Sequence, residues 1–200
     1  MKSENEYIGD DKFAKMLQHY NCDLDINLIK FRFIGSICSP NADLRPTDII
    51  SSLWPANKQP RLETKKEAEL FFKFFMGLWD AMFAKIMKNN VSLPPISTQK
   101  TLLESCQSRY DILESGFLEG FWGGKQNVEI PAFIAEIVDS LSQMASLYQT
   151  LAGKIPSDNN DNKAIKDAIA DCDKMVNKSF NFIIVHYVLP HISELKRTIN

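Results

Sequence analysis

Cysteine, histidine and glycine are all scarce in this 200-residue chain, and each scarcity removes a class of chemistry. Four cysteines stand at 22, 38, 106 and 172, with no Cys-x-x-Cys pair and no spacing of a compact disulfide framework. They read as reduced, partly buried thiols of a cytoplasmic protein. The three histidines, His19, His186 and His191, contain no His-Glu-x-x-His. His186 and His191 are five apart, whereas two ligands share a helix face at four. No metal ion and no other cofactor is expected. Gly-Gly-Lys at 123–125 starts like a phosphate loop, but Glu119 stands where a further glycine is needed and Gln126 where Ser or Thr must follow. Asp158, Asn160 and Asn162 mimic the start of a calcium loop, yet Lys163 and Ile169 occupy the positions of the turn glycine and the bidentate glutamate. No Gly-x-Ser-x-Gly occurs, and no catalytic residue is assigned.

Charge is also scant. Against 25 acidic residues stand 23 basic ones, a net charge of −2. A broad nucleic-acid surface needs clustered positive charge to displace counterions, so nucleic acid is not an expected partner. The first residues, MKSENEYIGDDKF, have no apolar core of a secretory signal. Eight glycines and nine prolines are too few for a fibrous or disordered chain, and 44% hydrophobic residues suffice for a sizeable core.

What the chain does have is FFKFFMGLWDAMF at 71–83. A membrane-spanning helix needs roughly 20 consecutive apolar residues. Here Lys73 and Asp80 interrupt a shorter run, and Lys65, Lys66, Glu67, Glu69, Lys85 and Lys88 flank it, so no membrane span is expected. On a helix, Phe71, Phe74, Phe75, Leu78, Met82 and Ile86 recur at three- and four-residue steps opposite Lys66, Glu69, Lys73 and Asp80. Thr64 and Glu67 form a capping box at its start, and Glu69 is placed to pair with Lys73. The apolar arc covers roughly 200°, wider than the stripe of a surface helix. This segment is therefore expected to be the central helix of an all-α core.

Helices are expected elsewhere at 10–20, 25–38, 46–54, 98–121 and 131–151, separated by proline- and glycine-marked breaks. Gly116 and Gly120 share the apolar side of the 98–121 helix, which predicts close backbone approach to another helix, by expectation the aromatic one. Gly123 and Gly124 supply a left-handed end. Glu104, Asp111 and Glu114 fall opposite the apolar stripe and read as a solvated face. Residues 154–163 form the most polar linker. Beyond it Ile165, Ile169, Cys172, Val176, Ser179, Ile183 and His186 keep helical spacing up to Pro190, which should kink or end the helix. His186 reads as a histidine on a buried stripe. FNFIIVHYVL has the composition of a strand, but the continuing period decides for helix.

The order FRFIGSICS, PTDIISSLWP, ETKKEAELFFKFFMGLWDAMFAKI and ILESGFLEGF, the last with Gly116, Phe117, Leu118 and Gly120, resembles the YecA/YgfB-like family of bacterial proteins over residues 25–125. The resemblance implies an all-α fold and a cytoplasmic protein of regulatory or accessory character, acting through other macromolecules. It carries over no catalytic residue. Some members bear a C-terminal Cys-rich zinc tail; this chain ends HISELKRTIN, so no zinc is inferred.

The expectation is thus a single-domain orthogonal bundle of about seven to eight helices, with a helical core at 1–155 and a C-terminal long helix at 156–200 packed on it. Its expected function is non-catalytic: contact with a protein partner, self-association included. The alternative is a small-molecule-binding protein or enzyme with a pocket between helices, near Trp79, Asp80 and the 113–120 glycine face.

Overall fold

The computed structural model describes residues 6–41, 43–96, 100–124, 128–154 and 159–198, and every regular element among them is helical. The first five helices are α1 (Asp10–His19), α2 (Ile26–Ile37), α3 (Pro46–Ser52), α4 (Lys65–Met87) and α5 (102–122). They are followed by α6 (Ala132–Ala152) and α7 (159–198). The all-α expectation therefore holds, FNFIIVHYVL included. Among the described residues no helix is long and apolar enough to cross a membrane. Lys125 and Gln126, on which the phosphate-loop reading turns, lie outside the described residues, as do Asp158 and 155–158 of the polar linker.

Sequence signals fix the helix ends. Asp25 accepts a hydrogen bond from the Asn27 amide and starts α2, and Pro46 opens α3 where a missing N–H costs nothing. Thr64 accepts from the Glu67 amide at 3.1 Å, while Glu67 reaches one residue further back than a standard capping box, to the Glu63 amide at 2.8 Å. The complete box is at α5, where Thr101 and Glu104 exchange bonds. Gly123 ends α5 with φ of 56°.

One hydrophobic cluster runs from Phe13 in α1 to Val188 in α7, so the C-terminal helix shares the core of the rest. Its hub is not the aromatic helix. In twelve-residue α2, Leu28, Ile29, Phe31, Arg32, Phe33, Ile34, Gly35 and Ser36 are all buried. The longer α4 buries Phe71, Phe75, Gly77, Leu78, Met82 and Ile86 but leaves Leu70 50% and Phe72 40% exposed. A run of large apolar residues tells how much of a helix is covered, but not whether it lies at the middle.

The glycines explain why α2 is enclosed. A Cβ on Gly120 would stand 2.1 Å from the Arg32 carbonyl oxygen, and one on Gly35 would stand 2.1 Å from that of Phe117. Gly116 faces Leu28 and Phe31 at 3.1 and 3.2 Å. The close approach expected of α5 is real, but its partner is α2 and not α4. At this crossing α5 widens into a π turn over Ile112–Leu118, where the Glu119 amide reaches back five residues to Glu114. Arg32, 5% exposed, spans the junction. Its guanidinium donates to the Ser115 carbonyl at 2.9 and 2.7 Å, to the Ser52 carbonyl at 3.1 Å and to Glu119 at 2.7 Å.

A second wide turn, Ile184–Val188, precedes Pro190 in α7. It absorbs the residue that cannot donate, and the helix does not end at Pro190 but runs on to Thr198. The extra residue also moves the buried stripe on to Ile184 and Val188. His186, expected on that stripe, is exposed beside Phe182, with ring centroids 4.5 Å apart.

The far half of the core is tied by a polar knot. Arg109, 4% exposed, grips Asp173 through two bonds of 3.0 and 2.8 Å and donates to the Pro94 carbonyl at 2.6 Å. The fully buried Tyr148 donates to the same carboxylate at 2.5 Å. Burial, reinforced by this bond, raises the Tyr148 hydroxyl far above its ordinary range, so it remains a donor. Asn177 accepts from the Leu93 amide at 2.8 Å, and the loop after α4 is thereby pinned to α7.

Candidate functional site

The corner where α1 turns into α2 opens on two adjoining cavities. Asn21, with φ of 54°, terminates α1 in the left-handed region that asparagine tolerates, and the chain reverses so that Cys22 is buried. The Trp54 indole donates to the Tyr20 carbonyl at 2.8 Å, so the end of α1 is held by the end of α3. Gln59 fixes the following loop by donating to the carbonyls of Ser51 and Trp54 at 2.9 and 3.1 Å. The result is a cleft of about 830 Å³ between the α1–α2 corner and the 58–63 loop, lined by His19, Asn21, Asp23, Lys58, Arg61 and Glu63 among others. Beside it, between α1 and α4, lies a more apolar groove of about 510 Å³, floored by Met16, Tyr20, Leu70 and Phe74.

His19, Tyr20 and Glu67 line both cavities. The Tyr20 ring lies edge-on to Phe71 at 5.0 Å, and its hydroxyl donates to Glu67 at 3.1 Å, which joins α1 to α4. Glu67 is held below the usual carboxylate range by the Glu63 amide first and the Tyr20 hydroxyl second. Tyr20 is raised by burial and then by Glu67. Because the Tyr20 bond favours the ionised carboxylate, Tyr20→Phe should move the Glu67 titration back up toward its ordinary range while the Glu63 amide keeps it below. Carboxyl-carbon NMR against pH would show an unmoved titration if the bond were not formed in solution.

The polar trough along α5 is a third concavity, of about 620 Å³. It is lined by Asp23, Asp25, Glu104, Gln107 and Asp111, with Arg32 at its floor. Its carboxylates are largely employed already: Asp25 and Glu104 cap helices, and Asp111 accepts from Gln107. The expected solvated face of Glu104, Asp111 and Glu114 is thus found, with Asp111 half-buried.

None of these cavities is lined by Trp79, Asp80 or the glycine face of α5. Trp79 packs edge-on to Phe33 at 5.8 Å, and the glycines are filled by the backbone of α2. Asp80 is half-buried. Among the described residues, no group of three or more His, Cys, Asp or Glu converges to hold a metal ion. Burial pushes the thiols of Cys38 and Cys106 up to about 12 and about 11, and those of Cys22 and Cys172 up as well, so all four are held as thiols. What the site offers is a shaped surface with apolar depth on one side and charge on the other.

Sequence reasoning missed this surface because its parts come from 16–23, 58–67 and 70–74, each unremarkable alone. The only signal was the half-turn excess of apolar residues on α4, which leaves Leu70 without cover. No family model matches the chain, and comparison with curated proteins and with solved structures returns no match either.

Proposed function

We propose that this chain is a non-catalytic, cytoplasmic helical protein that works by contact with another protein, made at the α1–α4 groove and its adjoining cleft. The observation that carries the reading is that the groove and cleft share His19, Tyr20 and Glu67 and so form one continuous open depression, with Leu70 half-exposed on the groove floor. An open trough with apolar floor and polar end suits a peptide segment better than an enclosed small ligand, which is ordinarily buried on most sides. The resemblance to the YecA/YgfB-like family supports the same regulatory or accessory character, and self-association is a form the contact can take.

The reading is tested by placing a photo-crosslinking amino acid at position 70 and, as control, at position 147 on α6, where Leu147 is 39% exposed. The expected result in living cells is a discrete protein adduct from position 70 that Tyr20→Ala weakens and that position 147 does not give. Equal labelling from both positions, or none from position 70, overturns it.

A further inference from the structure

The rim of the groove has one dominant sign. Lys66 lines it directly. Lys12 precedes Met16 by one helical turn and Lys15 precedes His19 by one turn, so both stand along the α1 edge. Lys73 lies three residues beyond Leu70 and next to Phe74, on the α4 edge. All four are exposed, and none of them makes an ion pair among the described residues. The adjoining cleft adds Lys58 and Arg61.

The nearby carboxylates oppose this charge only in part. Glu67, inside the groove, already accepts from Glu63 and Tyr20. Glu69 pairs with Lys65 at 3.7 Å and Asp10 with Lys30, while Asp23 and Glu63 line the adjoining cleft with Lys58 and Arg61. Along the groove itself, an apolar floor therefore runs between two lysine-bearing edges.

We propose that the occupant of this groove is an acidic amphipathic peptide segment, docking apolar side chains on Met16, Leu70 and Phe74 with Asp or Glu on its flanks facing the four lysines. This deepens the protein-contact reading and rests on it. A helix lying in an apolar groove presents anchors at three- and four-residue spacing, and its flanking residues then meet the groove edges, where charge selects the partner and speeds its arrival.

The test uses two labelled helical peptides of about 15 residues with one common leucine face, one carrying Glu and the other Lys at the flanking positions, titrated by fluorescence anisotropy against the full chain. The acidic peptide should bind at least about tenfold more tightly than the basic one, and its advantage should shrink as salt rises. Reversing the rim with Lys12→Glu, Lys66→Glu and Lys73→Glu should invert the preference, and Leu70→Asp should abolish binding of both. Circular dichroism melts confirm that these surface variants fold. Equal affinities, a preference for the basic peptide, or no binding of the acidic peptide overturns the proposal. So does pelleting with phosphatidylcholine–phosphatidylserine vesicles that the rim reversal abolishes, which would assign the basic edges to a membrane surface. A crosslinked protein at position 70 whose docking segment is basic would leave the protein-contact reading standing and this inference overturned.

Discussion

Gly120→Ala should cost this protein roughly 3 kcal/mol, at the upper end of what one added core methyl exacts. The new carbon would stand 2.1 Å from the Arg32 carbonyl oxygen and 3.0 Å from the Ser36 amide nitrogen, both backbone atoms of the helix at the centre of the fold. No side chain can rotate away, so α2 and α5 must separate, and the contacts of Phe31, Phe117 and Phe121 loosen with them. The better helix propensity of alanine, about 1 kcal/mol, does not offset this. For a chain of this length the thermal midpoint should fall by roughly 10 °C. Gly35→Ala should match it, since its Cβ meets the Phe117 carbonyl oxygen at the same 2.1 Å. Gly116→Ala, with neighbours at 3.1 and 3.2 Å, should cost less, and Gly153→Ala, with none nearer than 3.7 Å, should be neutral. Thermal melts of the four variants that failed to fall in this order would show that the α2–α5 crossing yields more readily than its geometry implies.

Arg109→Met should be the other severe change, at about 3–5 kcal/mol, because removing one partner strands the other charge. Asp173 would keep Tyr148 but lose both guanidinium bonds, and the Pro94 carbonyl would lose its donor. The cost lies in the stranded groups more than in the attraction itself. Adding Asp173→Leu removes the unpaired carboxylate but orphans the fully buried Tyr148 hydroxyl; adding Tyr148→Phe as well removes that orphan. Stability should therefore fall with the first substitution and recover substantially by the third, as read by urea denaturation. A loss that grows with each step would mean that the knot contributes net attraction.

How much of this was legible in the sequence differs by kind of feature. Local signals were read directly: the Thr64 cap, the Pro46 start, the Gly123 end and the helical period through FNFIIVHYVL depend on residues a few positions apart. The glycines at 116 and 120 announced a close crossing, but a missing side chain does not name what fills its place, and α2 was found where α4 was expected. Arg32, inside the run FRFIGSI, was the overlooked clue, since a buried arginine needs several acceptors and so a junction of elements. The Arg109–Asp173–Tyr148 knot joins positions 64 and 25 residues apart in sequence, and nothing local marks it. The groove was hidden for the same reason, as its floor is shared by two helices whose apolar residues looked like ordinary core.

The two widened turns also bear on how the chain tolerates changes in its length. At Ile112–Leu118 and at Ile184–Val188 each helix holds one residue more than an α-helix requires. Deleting a residue there would restore a regular helix while leaving everything beyond it on nearly the same face, because the wide turn already takes up the extra residue. In α5 such a deletion would leave Gly120 at the α2 crossing, whereas a deletion between the wide turn and Gly120 would swing the glycine away by about 100°. The two widened turns are thus the places where these helices can lose one residue with the least change of register.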